Sequence, residues 1–287
     1  MVGNIKRTQI GFSIVEALII LIVIGGITLA GYKVSHSKKV SPKLSTASSQ
    51  LSVSEKISAG VTWSQTADGY RPDGTTPICE AKMIKQFPVD INKVTSVLYP
   101  GQYRGGIYRP YGGLRFDKSA NDEITVKAPF DGSVIDGGQY IAEGSDNDVQ
   151  YTFDVMNDCG MMYRVGHLLT LSKKMADIAR IFPAAAKGDS RTTPIEPVVK
   201  IKAGTALATA VGTASGKNVF VDFGVYDWRK LNYISSFPAW INEDQHNNNQ
   251  AKHAVCWFDQ LPTIQAVKIR SLPAGDPASG KISDYCR

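Results

Sequence analysis

The chain has 287 residues, 43% hydrophobic and 20% charged, the composition of an ordinary folded protein without low-complexity bias. Its formal charge of +6 and pI near 9.0 invite a nucleic-acid reading. The Lys and Arg residues are scattered, however, and no basic helix interleaved with aromatics is present, so specific nucleic-acid recognition is set aside.

The amino terminus gives Met1–Gly11 with Lys6 and Arg7, then Phe12-Ser-Ile-Val-Glu16 and an apolar run from Ala17 to Ala30. From Phe12 to Tyr32 the run has roughly the 20 residues that a membrane-spanning helix needs. Positive charge stands at both ends, Lys6 and Arg7 before and Lys33, Lys38 and Lys39 after, so charge alone does not set the orientation. A secretory signal would end its shorter apolar core at a small-residue cleavage site, which the following Gly-Tyr-Lys-Val does not provide. Glu16 inside an apolar helix costs roughly 2.5 kcal/mol near the bilayer centre, so it calls for a partner.

These first 30 residues resemble the class III signal of type IV prepilins and of the pseudopilins of type II secretion. The resemblance implies that a prepilin peptidase cuts the 1–11 leader after Gly11 and methylates the new amino terminus at Phe12. It implies that Glu16 neutralises the amine of a neighbouring subunit when the 12–40 helix assembles with other pilins from the inner membrane. It also implies a final location in the periplasm or in a cell-surface filament.

Beyond the apolar run, Ser41-Pro42 suits the start of a new helix, and Leu44, Ala47 and Leu51 recur at helical spacing until Gly60. Residues 41–99 are accordingly expected to be a stalk or linker with one short amphipathic helix over about 42–59. The stretch 68–77 is turn-rich and is expected to be irregular.

From residue 100 the pattern changes to short β runs between glycine turns: 103–116, 124–128, 133–135, 149–155, 161–165, 198–201 and 219–225. One helix is expected at 172–181. The fold class expected is an antiparallel sandwich or barrel-like sheet carried on an N-terminal transmembrane helix.

Several pieces resemble, in order, the lysostaphin-like (LytM) zinc metallopeptidases that cut peptidoglycan cross-bridges. They are Ala-Pro-Phe-Asp-Gly-Ser-Val at 128–134, Tyr-Arg-Val-Gly-His-Leu at 163–168 and Ile-Lys-Ala-Gly-Thr-Ala-Leu-Ala at 201–208. A degenerate domain of this type is assigned to 100–232. The family's zinc ligands fall on Tyr111 and Arg115 and on the pair Asn218 and Phe220. Zinc needs three good N, O or S donors. Phe220 supplies none and Arg115 would repel the ion, so no metal, no other cofactor and no hydrolysis are expected. His167 matches a family histidine that activates or polarises. A displaced site built from Asp117, His167 and Asp222 or His253 is the alternative considered. Against it, His167 reads as a half-buried strand residue bonded to a neighbour, and Asp117 as the ion-pair partner of Arg115.

Four cysteines, Cys79, Cys159, Cys256 and Cys286, lie too far apart for a Cys-x-x-Cys metal or redox motif. In an oxidising compartment two disulfides are expected. Three pairings are open; Cys256–Cys286, tying down the tail, is preferred, with Cys79–Cys159. The segment 233–287 is thus read as a disulfide-stapled extension, with 253–261 returning to the body and 242–252 exposed. Four tryptophans could supply a sugar-stacking surface but read more readily as core or rim.

Together these readings point to a minor pilin or pseudopilin with an inactive, peptidase-like binding head, and to peptidoglycan or another surface polymer as ligand. An activator of wall hydrolases and a membrane-anchored zinc endopeptidase are the alternatives.

Overall fold

The computed structural model describes residues 60–142 and 145–287. The leader, Gly11, Phe12, Glu16, the 12–40 helix and the helix expected over 42–59 lie outside the described residues. Among those described, no helix is long and apolar enough to cross a membrane.

The head is mainly β, and every strand ladder in it is antiparallel. A small hairpin, β1 (Trp63–Thr66) and β2 (Gly69–Pro72), comes first, followed by β3 (Ser96–Leu98). A second hairpin, β4 (Gln102–Arg104) and β5 (Ile107–Arg109), turns on Gly105 and Gly106. Both glycines have φ positive, 58° and 78°, which a tight two-residue hairpin turn requires. Then come β6 (Gly112–Arg115), β7 (Val126–Lys127), β8 (Gly132–Ile141), β9 (Val149–Met156) and β10 (Met161–Leu171). Helix α1 (Lys173–Ala179) follows, capped by the Ser172 hydroxyl and burying Met175 and Ile178. The series ends with β11 (Thr193–Ile201), β12 (Ala206–Val211) and β13 (Phe220–Asp227).

The main sheet runs β11-β8-β9-β10-β13-β6-β3 and does not close into a barrel. Its central strand, β10, pairs with β13 through Gly166 and with β12 from Leu168 onward. The change of partner falls on a bulge at His167, the point where the register with β9 also shifts. His167 has φ 59°, a left-handed conformation that non-glycine residues seldom adopt. Strand alternation sends Tyr163 and Val165 into the core and leaves Arg164 and Gly166 on the opposite face. The bulge then turns His167 to that same opposite face, where simple alternation would have buried it.

One hydrophobic core lies behind the sheet, and it corrects the division expected from sequence. Ile84, Phe87, Val89 and Val94, within the expected stalk, are buried beside Leu114, Phe153, Val165 and Phe223 of the sheet. Backbone bonds from Ile84 to Gln260 and from Lys127 to Pro88 fix the segment. Residues 60–99 therefore belong to the same compact unit as the sheet. Within the turn-rich stretch, Gly69–Pro72 is a strand.

The tail is also part of this core. It holds the short helices α2 (Pro238–Ile241) and α3 (Asn249–His253), the two-residue strand β14 (Ala254–Val255) and helix α4 (Thr263–Ser271). Strand β14 pairs with β13, and Trp257, Phe258, Leu261 and Ile269 are fully buried. The polar stretch 242–252 is largely exposed, as its composition implies, but His246 and Ala251 are buried. All four tryptophans are buried, which leaves none as a surface platform for a sugar.

The two disulfides are Cys79–Cys159 and Cys256–Cys286. The first ties the segment before β3 to the β9–β10 turn. The second ties the last residues to the run after β14.

Candidate functional site

The face of the sheet opposite the core is covered at one end by the β1–β2 hairpin. There Trp63 packs with Met156, Met162, Tyr226 and Trp228. The remainder of the face is an open cleft of about 680 Å³. Its floor is Thr152, Arg164, Gly166 and Asp222, and its walls include Arg104, Arg109, Tyr111, Tyr140, His167 and Phe220.

Of the five residues likened to the peptidase site, Tyr111, His167 and Phe220 line this cleft, together with Asp222 of the displaced alternative. His167 Nδ1 lies 2.5 Å from Gln150 Oε1 and its Nε2 lies 3.2 Å from Asp222 Oδ2. The Gln150 amide donates to the Gly212 carbonyl at 2.8 Å, which directs its oxygen at the imidazole. Both ring nitrogens thus face oxygen acceptors, and neither presents a lone pair to the cleft. Burial pushes the Asp222 carboxyl up, but His167, Arg104 and Arg109 outweigh it and hold it below its ordinary value.

Arg115 at the end of β6 and Asn218 before β13, likened to the family's ligand positions, stand apart with Asp117. Arg115 donates to Asp117 at 3.1 Å and to Asn218 at 3.2 Å, while the Thr95 hydroxyl donates to Asp117 at 2.7 Å. The expected Arg115–Asp117 pair is present, half exposed. Of the displaced site considered from sequence, only His167 and Asp222 come together. Asp117 is held by Thr95 and Arg115, and His253 is bonded to the carbonyls of Asp227 and Lys230 and stacked on Trp228.

Three arginines of the cleft are not among the candidate residues, although Arg164 lies within the 163–168 stretch. Arg104 and Arg109 come from the β4–β5 hairpin and both approach the Tyr111 ring, at 5.7 and 5.9 Å from its centroid. Arg104 donates to the carbonyls of Tyr99 and Tyr111 at 2.8 and 2.9 Å. Arg109 donates to the Tyr111 hydroxyl at 2.9 Å. Arg164, on the floor, reaches the fully buried Asp154 at 3.3 Å. Burial raises the Asp154 carboxyl to about 6 despite Arg164. The Gly105-Gly106 pair between Arg104 and the strand carrying Arg109 was the one signal that could have placed two of these cations together.

Comparison with protein-family models, curated proteins and solved structures gives no match.

The donor set does not suit zinc. Burial raises the Tyr111 phenol, so it stays protonated at neutral pH, and it accepts a bond from a cation. Phe220 offers no donor atom, and Asp222 and His167 are engaged with each other. Among the described residues, no group of three His, Cys, Asp or Glu side chains is arranged to hold a metal ion. Three guanidinium groups around one carboxylate would repel a divalent cation.

The tail positions the arginine hairpin. Tyr108 of β5 donates to Asp284 at 2.8 Å and lies 3.0 Å from the Tyr285 hydroxyl, and its backbone N–H donates to Gln245 at 2.7 Å. The Trp240 indole donates to the same Asp284 at 2.6 Å, and His246 stacks on Trp240 against the Tyr108 edge. Cys286 anchors this strap. Cys286→Ser in the full chain is expected to lower unfolding free energy by about 2–4 kcal/mol, read from urea denaturation. A midpoint equal to the parent's would show that the hydrogen bonds hold the strap unaided.

Proposed function

We propose that the chain is a minor type IV pilin or pseudopilin whose head is a catalytically inactive, peptidase-like binding module. Peptidoglycan or another surface polymer is the intended ligand. The observation that carries the binding reading is the state of the matched site. His167 and Asp222 hold each other, Tyr111 is bonded to Arg109, and Phe220, which offers no ligand atom, lines the cleft. Such a cleft can grip and orient, but it has no group free to activate water.

The mounting rests on the Gly11-Phe12 junction and Glu16 in the apolar helix. It makes other pilins, the prepilin peptidase and the inner membrane the partners of the amino terminus. The two disulfides fit a head that folds in an oxidising compartment, the periplasm or the cell surface. A head of this size on a pilin helix favours a tip or scarce subunit over one that must repeat along a fibre.

Two measurements test the proposal. Mass spectrometry of the mature chain is expected to show an amino terminus at Phe12 carrying one extra methyl group; a retained Met1 overturns the anchor. The full chain in detergent, supplied with zinc, is expected to sediment with peptidoglycan sacculi without releasing soluble fragments. Released fragments would restore the endopeptidase reading.

A further inference from the structure

Elsewhere among the described residues, several arginines meet a carboxylate directly. Arg164 meets Asp154, Arg229 meets Asp227 and Arg270 meets Asp259. Among the described residues, the partners of Arg104 and Arg109 are neutral oxygens: two carbonyls and one phenol. Both guanidinium groups are half-buried, both face the cleft and both press toward one tyrosine ring. Burial lowers the Arg104 guanidinium from its ordinary value and Arg109 adds to that effect, while the Asp222 carboxylate, which makes no direct bond to either arginine, opposes it. Two like charges in a partly desolvated site oppose folding unless an anion joins them.

The surroundings keep this charge available. Asp222, the carboxylate on the cleft floor, is already engaged by His167. Carbonyl and phenol bonds occupy only part of each guanidinium, leaving N–H groups for a ligand. Planar guanidinium groups bind oxyanions through paired N–H donors, which a lysine pair would not do as well. Tyr140 and Phe220 supply apolar wall beside them, and the cleft's volume of about 680 Å³ exceeds that of a single oxyanion.

We propose that Arg104 and Arg109 form an oxyanion-binding subsite, which receives a carboxylate or phosphate group of the ligand in this cleft. The inference rests on the binding reading given above and names the chemistry that anchors the ligand.

The test uses the full chain in detergent and follows thermal unfolding by tryptophan fluorescence. Citrate and inorganic phosphate are titrated against sodium chloride at matched ionic strength. Both oxyanions are expected to raise the midpoint saturably, with the tighter of the two naming the ligand group. Arg104→Gln and Arg109→Gln should each weaken the apparent affinity about tenfold or more, and the double variant should abolish the shift. Lys173→Gln, an exposed cation on α1, should leave it unchanged. Without added oxyanion, Arg109→Gln should unfold no earlier than the parent, since it removes a repulsion. A purely structural arginine would destabilise on removal. A parent midpoint that responds to neither anion, or a response lost equally in Lys173→Gln, overturns the subsite. Sacculus sedimentation separates the two readings. A double variant that sediments like the parent removes the oxyanion anchor and leaves the binding module. Fragment release by a parent that keeps its oxyanion response does the reverse.

Discussion

Trp257→Ala is expected to lower the unfolding free energy of the chain by about 3–5 kcal/mol. Trp257 is fully buried and meets Phe223 of β13 at 5.3 Å, Phe258 at 4.3 Å and Phe87 at 6.5 Å between ring centroids. One side chain thus touches the sheet, the tail and the segment before β3. The neighbouring backbone cannot move in to fill the void. Gly112 has no Cβ because one would stand 2.3 Å from the Leu98 carbonyl and 2.9 Å from the Trp257 indole nitrogen. That nitrogen is buried without a partner, so Trp257→Phe should cost far less than the alanine change. Urea midpoints of the three proteins check the ordering. An alanine variant as stable as the parent would mean that the tail lies outside the core. The same contacts predict that a chain truncated after Asn232 does not fold.

Arg164→Ala is expected to cost about 3–5 kcal/mol at pH 8 and distinctly less at pH 5. Removing the guanidinium leaves the Asp154 carboxylate buried, with one oxygen already lacking a protein partner. The sign follows from the raised carboxyl. Asp154 titrates at about 6 in the folded protein and near 3.9 unfolded, so between these values the native state holds the extra proton. Its contribution to stability is fully favourable below about pH 4, declines as pH rises through about 6, and is flat above that. In the variant a neutral Asp154 at pH 5 tolerates burial, whereas the anion at pH 8 does not. Denaturation at the two pH values measures this, with Asp154→Asn as the companion lacking the pH slope. An equal loss at pH 5 and pH 8 would sink the account.

The β strands of the middle of the chain were legible because their faces differ. In 149–156, Phe153 and Val155 enter the core while Thr152 and Asp154 face away, and that alternation stands in the sequence. The segment 60–99 was not legible, because its core residues come as isolated apolar positions around Pro88, with no helical or strand period. They are held by long-range contacts and by Cys79–Cys159. The candidate site was half legible. Tyr111, His167, Phe220 and Asp222 line one cleft, whereas Arg115 lies outside it and donates to both Asp117 and Asn218. The bulge that aims His167 into the cleft is a tertiary event with no residue signature. Arg104 and Arg109 carry no signal of their own, because scattered basic residues look alike until strand pairing converges them.

The sheet order also constrains how the head reaches its native state. Strands β3 and β6 precede β8, β9 and β10, yet their place in the sheet is beside β13, where Arg115 pairs with Phe220. No earlier strand can take that place. The first part of the head therefore waits, with the unpaired β6 edge and Phe87 without its Trp257 neighbour, until the chain is almost complete. Loop closure of that span must precede its reward, so the head should fold slowly and from its later strands inward. During that interval exposed apolar surface is open to aggregation, a liability set by connectivity rather than by stability.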